Sequence, residues 1–153
     1  VVECERFSTP VCYQKALELD AGNTSAWNLL GVSGGGTVEG RAVSAEDCFK
    51  RALSLDPEHA PAWCNLGMLG GGTVSGVAYS GRECFEKALM YDLGDTVAWT
   101  SLGALGGGDV HGASFCAERC FAMALEADME SAPAWRGLGQ IGGGAVGGDN
   151  FDA

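Results

Sequence analysis

Positive charge is scarce in this chain of 153 residues, which has nine Lys and Arg against twenty Asp and Glu. The formal net charge at pH 7 is −11, and the basic residues are scattered along the chain. Binding to a nucleic-acid backbone requires Lys and Arg that displace counterions, and an anionic membrane surface attracts the same residues. We therefore expect no nucleic-acid partner, and we expect any charged partner to be basic.

The sequence also lacks long apolar runs and the closely spaced cysteine pairs that are typical of metal sites. No apolar run reaches the ~18 residues that a membrane-spanning helix needs, so we predict no membrane span. The chain contains no Cys-x-x-Cys pair, and its two histidines, His59 and His111, lie far apart in the sequence. No nucleophile and base recur together. The sequence therefore predicts no metal, no cofactor and no catalysis.

The chain has instead a repeat of 36 residues. Tryptophan marks one position of it: Trp27, Trp63, Trp99 and Trp135. Cysteine marks another: Cys12, Cys48, Cys84 and Cys120. Glycine triplets begin at 34, 70, 106 and 142. This register predicts a single array over 1–153, with units 1–36, 37–72, 73–108 and 109–144 and a partial fifth unit 145–153.

Each unit reads as a hairpin followed by two helices. In the second copy, "SAEDCFKRALSLD" places an apolar stripe at helical spacing, and "APAWCNLGMLG" predicts the next helix. Ser44 with Asp47, and Ser80 with Glu83, have the spacing of capping boxes. A helix pair of this kind cannot bury both of its faces alone, so neighbouring units must stack.

The two helices resemble the tetratricopeptide repeat over nearly the whole chain. The matching residues of the second copy are, in one helix, Ala62, Trp63, Leu66 and Gly67. In the other helix and just after it, they are Ala45, Phe49, Ala52, Leu53, Asp56 and Pro57. The usual repeat has about 34 residues, and the longer unit with its glycine loop is similar to Sel-like repeats. We predict an all-α fold, a right-handed α-solenoid with short β-hairpin or loop insertions between the two helices of each repeat.

The glycine triplets have a structural and a ligand-binding interpretation. Each is followed by a valine and a turn glycine, as in "GGGTVEG", which indicates a small hairpin that closes onto the next helix. A phosphate-binding loop requires a lysine after the glycines, and none follows any triplet. "GLGQIG" has dinucleotide-type spacing but lies inside the predicted tryptophan helix. We therefore favour a joint between helix and hairpin.

The cysteines divide into two groups. Those at the repeated position are expected to be small core residues. Cys4, Cys64 and Cys116 break the repeat pattern, and a disulfide or a reactive thiol would be sought among them. Asn23-Thr24-Ser25 forms an N-glycosylation sequon. Periodic buried cysteines favour the cytoplasm, whereas a fibre-forming protein would suit an extracellular setting, so the compartment stays open.

The family resemblance implies that the tryptophan helices line a concave groove. We expect its outward positions to be Asn28, Val32, Cys64, Met68, Thr100, Ala104, Arg136 and Gln140. They are small, apolar or neutral apart from one arginine, so we predict a neutral or apolar protein segment as the partner. The alternative partner is another copy of the same chain.

The ends of the sequence fall within the hairpin of the repeat. This register is expected either from an excerpt of a longer array or from a protein that assembles end to end. In the second case, the contact would join Trp135, Leu138 and Ile141 of one copy to Cys12, Tyr13 and Ala16 of the next. A head-to-tail contact that does not close generates a filament. We therefore predict a non-enzymatic protein-interaction scaffold, with a filament-forming structural subunit as the alternative.

Overall fold

The computed structural model describes the backbone of residues 8–146 and 149–152 and the side chains of residues 8–143. The helices in these ranges are α1 (Thr9–Leu19), α2 (Thr24–Val32), α3 (Ala45–Leu55), α4 (Ala60–Met68), α5 (Gly81–Tyr91), α6 (Thr96–Ala104), α7 (Ala117–Ala127) and α8 (Ala132–Gln140). The strands are β1 (Gly35–Val38), β2 (Arg41–Ser44), β3 (Gly71–Val74), β4 (Val77–Ser80), β5 (Gly107–Val110), β6 (Ala113–Cys116), β7 (Gly143–Val146) and β8 (Asp149–Asp152). Equivalent elements start 36 residues apart, as the repeat predicts.

The prediction of an all-α solenoid is wrong. The strands pair in sequence into two-stranded antiparallel sheets, four within the described residues, so the fold is mixed α and β. The predicted hairpins within the described residues are confirmed. Three of them lie between a helix with the repeated tryptophan and the following helix with the repeated cysteine, and the fourth, β7–β8, follows α8. The error was to treat them as insertions, because they form regular sheet in every described repeat. The first predicted hairpin, at 1–8, lies outside the described residues except for Ser8.

A two-residue turn closes each of the three hairpins that lie between helices. In β1–β2, Val38 is paired with Arg41, and the two residues between them, Glu39 and Gly40, have φ of 49° and 77°. Two positive φ values are typical of a type I′ turn, whose twist matches that of the strands. Val38 is 7 % exposed, so the hairpin is held against the helical core by its apolar residue.

The glycine triplet is the joint that turns α2 into β1. Gly34 has φ of 94°, and its N–H donates to the carbonyl oxygen of Gly31 at 2.9 Å, which ends the helix. Gly35 has φ of 91°, and a Cβ atom there would lie 2.2 Å from the carbonyl oxygen of Val43. Any other residue would clash with the returning strand. These two glycines therefore have structural reasons that recur in the later repeats.

Helices stack through a junction between each tryptophan helix and the next cysteine helix. We call α2/α3, α4/α5 and α6/α7 the interior junctions. In each, a phenylalanine ring is pressed against a helical glycine: Phe49 on Gly31, Phe85 on Gly67 and Phe121 on Gly103. The three rings are each 4 % exposed. Because glycine has no side chain, the two helices approach closely and the ring fills the space between them.

The tryptophan side chains also fix the turns that precede their helices. The Trp63 indole N–H donates to the carbonyl oxygen of Pro57 at 2.8 Å. The same bond, six residues back along the chain, recurs at 2.8–2.9 Å for the other three tryptophans. Each tryptophan therefore packs in the core and ties down the turn between two helices.

The predicted capping boxes are confirmed. The Ser44 and Ser80 hydroxyls accept from the backbone N–H of Asp47 and Glu83, whose carboxylates accept from the serine N–H in return. Cys116 at the equivalent position makes no side-chain cap for α7. The hydrogen bonds from Ser44 hold the pKa of Asp47 below its ordinary value.

Candidate interaction groove

The tryptophan helices α4, α6 and α8 border a groove with two adjoining recesses. The first encloses about 580 Å³ and the second about 340 Å³. Met68, Ser101 and Ala104 line both, so the recesses form one continuous surface. Phe85 and Leu105 add apolar walls to the first recess, which is mostly nonpolar as a result. We call these two recesses together the interaction groove.

Five of the eight predicted groove residues lie on this surface. They are Met68, Thr100, Ala104, Arg136 and Gln140. Met68 is 61 % exposed, as is Val32 at the equivalent position of the preceding repeat. The helical spacing of the repeat is what brings these side chains to one face.

The other three predicted groove residues lie elsewhere. Asn28 is 7 % exposed, and its Oδ1 accepts from Nδ2 of Asn65 at 3.0 Å, so it joins two repeats instead of facing solvent. Cys64 is 6 % exposed. Burial raises the pKa of its thiol, and the neighbouring Asp95 carboxylate raises it further. Val32 is exposed but lines neither recess.

Gly137 lines the second recess but was not among the groove residues predicted from the sequence. Gly137 occupies the position of Leu29, Asn65 and Ser101 in the other repeats. A Cβ atom at Gly137 would lie 2.3 Å from Cε1 of Phe121, so a larger residue cannot fit there. Phe121 and Gly137 both line the recess. The signal in the sequence was the glycine at this repeat position, where the other three repeats have larger residues.

The groove has a charge unlike that of the whole chain. Its two charged lining residues are Arg82 and Arg136, and among the described residues no Asp or Glu lines either recess. Arg82 donates to the carbonyl oxygens of Leu105 and Gly107, where α6 ends. Arg136 is exposed. The groove is therefore apolar with one arginine in each recess, on a protein of net charge −11.

The residues predicted to form an end-to-end contact differ in exposure. At α1, Cys12 is exposed and Tyr13 and Ala16 are half-buried. At α8, Trp135 is half-buried and Ile141 is 47 % exposed, whereas Leu138 is 2 % exposed and belongs to the chain's own core. Leu105, the counterpart of Ile141, is also 47 % exposed, so the exposure of Ile141 is not special to α8.

Three of the four repeated cysteines are core residues as predicted, whereas the prediction is wrong for Cys12, which is exposed. Cys48, Cys84 and Cys120 are fully buried, and burial raises the pKa of their thiols to about 11, 12 and 11. They are therefore protonated, and so poor nucleophiles, at neutral pH. Cys116 is exposed and Cys64 is buried, both as free thiols, and Cys4 lies outside the described residues.

His59 and Asn23, the asparagine of the sequon, each directly precede a helix. His59 precedes α4 without capping it, and Asp56 lies 3.9 Å from its Nδ1. Asn23 is exposed, but its Oδ1 accepts from the Ala26 N–H at 2.9 Å and caps α2. Across the described residues, no group of three or more His, Cys, Asp or Glu is placed to hold a metal ion.

The chain matches no protein-family model, and a search of the curated proteins finds no significant match. Among the described residues, no helix has the length and apolar character needed to cross a bilayer. The longest helices in that part of the chain have 11 residues.

Proposed function

We propose that the chain is a non-enzymatic scaffold of tetratricopeptide-like repeats that binds an apolar protein segment in the interaction groove. The observation that supports this most is the continuity of two recesses along α4, α6 and α8. The recesses are lined by large apolar side chains that are 47–61 % exposed, among them Met68, Val97 and Leu105. Apolar surface in a contiguous concave patch is typical of interaction sites.

The charge of the groove restricts the partner further. Arg136 lines the second recess, and among the described residues no carboxylate lines it. A segment with an acidic residue beside its apolar anchors would place that charge near the guanidinium, where Arg can bind a carboxylate with two parallel hydrogen bonds. A basic segment would be repelled by the positive charges of Arg82 and Arg136. We therefore favour a neutral to acidic apolar segment over a basic one.

The experiment is a selection of random 12-residue peptides displayed on phage, with the 153-residue chain as bait. We expect enrichment of peptides that combine apolar residues with Asp or Glu. Ala104→Glu introduces a charge at an exposed position shared by both recesses, and we expect it to weaken binding at least about tenfold. Arg136→Glu should weaken the acidic peptides selectively.

The matched control is Val77→Glu. Val77 is 54 % exposed in β4, away from the recesses, so peptide binding should be unchanged. If no peptide is enriched, or if the selected peptides bind Ala104→Glu as tightly as the original chain, the groove is not the binding surface.

A further inference from the structure

Met68 stands in the wall that the two recesses of the interaction groove share. Its side chain lines both recesses and is 61 % exposed. The helix that carries it, α4, contacts α2 on one side and α6 on the other, so this exposure belongs to the middle of the array. Among the described residues that line the recesses, Met68 is the only one with sulfur. It is therefore the position where an oxidant can change the polarity of the groove.

A hydroxyl group already lies against this sulfur. Oγ of Ser101, in α6, donates to Sδ of Met68, in α4, at 3.7 Å. A thioether is a weak acceptor, so this bond adds little to the stability of the reduced chain. A sulfoxide oxygen on the same sulfur is a polar acceptor within reach of the same hydroxyl. The groove therefore holds a hydrogen-bond partner for the oxidised side chain.

We propose that oxidation of Met68 to its sulfoxide by hydrogen peroxide makes the interaction groove polar and releases the bound segment. The inference rests on the proposed function, because it regulates binding in the same groove. The thioether sulfur attacks one peroxide oxygen, so that an S–O bond forms and the O–O bond breaks. The hydroxide that leaves takes the proton of the transferred oxygen and becomes water. The sulfur is oxidised by two electrons, and the peroxide is reduced by two.

The loss of affinity follows from the position of Met68 between the recesses. An apolar segment that fills both recesses covers the wall between them. Burial of the thioether in this contact is favourable. A sulfoxide oxygen loses its water in the same contact, and Ser101 replaces only one of the lost hydrogen bonds. We therefore expect oxidation to raise the dissociation constant of the segment at least about tenfold.

The other three methionines provide the comparison. Met90 and Met129 are 41 % and 55 % exposed, so peroxide can reach them as it reaches Met68. Met123 is half-buried against the core. None of the three lines either recess. Their oxidation should therefore leave binding in the groove unchanged.

Two variants isolate the effect of Met68. Met68→Leu has a side chain of similar volume that cannot form a sulfoxide. The triple variant Met90→Leu, Met123→Leu and Met129→Leu retains Met68 as its only methionine. Each chain is measured before and after limited peroxide treatment, and peptide mass spectrometry gives the extent of oxidation at each methionine. Dithiothreitol follows the peroxide, because it reduces the sulfenic acids and disulfides of exposed cysteines before binding is measured.

Binding is measured with two probes. One is a peptide selected by phage display on the reduced chain, and the other is anilinonaphthalene sulfonate, an anionic dye that reports exposed apolar surface. The dye signal that Ala104→Glu removes is assigned to the groove. After peroxide, the original chain and the triple variant should bind the peptide at least about tenfold more weakly and lose this dye signal. Met68→Leu should keep whatever affinity it has before treatment.

Two further measurements test the mechanism. Methionine sulfoxide reductases return the sulfoxide to the thioether, so they should restore binding to the oxidised triple variant. Ser101→Ala removes the hydroxyl beside the sulfur, so the sulfoxide can turn to solvent and peroxide should weaken binding less than in the original chain. An equal loss overturns the role of Ser101. Circular dichroism of every chain establishes that its fold is retained.

The outcomes separate this switch from the proposed function. If a selected peptide binds the oxidised and the reduced triple variant equally well, the switch is overturned while the groove remains the binding site. If no peptide is selected, the proposed function fails, and an unchanged groove signal of the dye after oxidation overturns the switch. A loss in Met68→Leu as large as in the original chain also overturns it. A chain with neither a selected peptide nor a groove-dependent dye signal overturns both proposals.

Discussion

The interior junctions and the first and last described helices, α1 and α8, have an aromatic residue or a glycine at equivalent repeat positions but in different surroundings. Phe85 at α4/α5 is 4 % exposed and lies against Gly67, whereas Tyr13 on α1 is half-buried and Gly139 on α8 has open space around it. The sequence pattern is the same at all these places. The comparison indicates that the contribution of a repeat position to the free energy of unfolding depends on whether a neighbouring helix covers it.

The largest difference is expected for removal of the aromatic ring. Phe85→Ala should lower the free energy of unfolding by about 3–5 kcal/mol, because it leaves a cavity between two packed helices. Tyr13→Ala should cost about 1 kcal/mol in dilute solution, since its ring is already partly in water. Urea denaturation followed by circular dichroism measures both. Equal losses would show that α1 is packed as tightly as the interior helices.

The sign of the effect should reverse for the glycines. At Gly67 an added Cβ atom would lie 2.7 Å from Cε1 of the buried Phe85 ring, so Gly67→Ala should destabilise by about 1–2 kcal/mol in spite of the higher helix propensity of alanine. Gly139→Ala meets no described atom and should stabilise by up to about 1 kcal/mol. Thermal and urea denaturation in dilute solution measure both; a destabilised Gly139→Ala would mean that the space around Gly139 is filled.

The smallest difference is expected at the first residues of the helices. Ser44→Ala removes a capping box from α3 and should cost about 1 kcal/mol at neutral pH. Ser8 precedes α1 without a side-chain cap, so Ser8→Ala should change stability by less than about 0.5 kcal/mol. Urea denaturation at pH 7 compares them, and equal costs would contradict the assigned caps.

The Ser44→Ala effect should also depend on pH. Because the pKa of Asp47 is lowered in the folded state, its carboxylate stabilises the fold above an unfolded-state pKa of about 3.9. That contribution is lost as the pH falls through the lower folded-state pKa. The difference between Ser44→Ala and the original chain should therefore shrink below about pH 4. The bond from the Asp47 N–H to the serine hydroxyl does not titrate, so a part of the difference should remain.

Most local structure could be predicted from the repeat, whereas the sites could be predicted only in part. The helices, the capping boxes and the hairpins follow from residues such as Ser44, Gly40 and Val38, whose preferences act over a few positions. The fold class was wrong because it gave the hairpins too little weight. The groove was predicted at Met68 and Ala104 but not at Phe121, which lines the second recess and lies against Gly137.

The sequence by itself determined the repeat length, the order of helix, turn, helix and hairpin, and the glycine joint, because each depends on backbone preferences within one unit. The tertiary structure decided exposure, which depends on residues a whole repeat away. It placed Asn28 and Cys64 inside the array, and it left Met68 in the groove. It also left Gly139 uncovered among the described residues, although Gly31, Gly67 and Gly103 at the same repeat position each hold a phenylalanine ring.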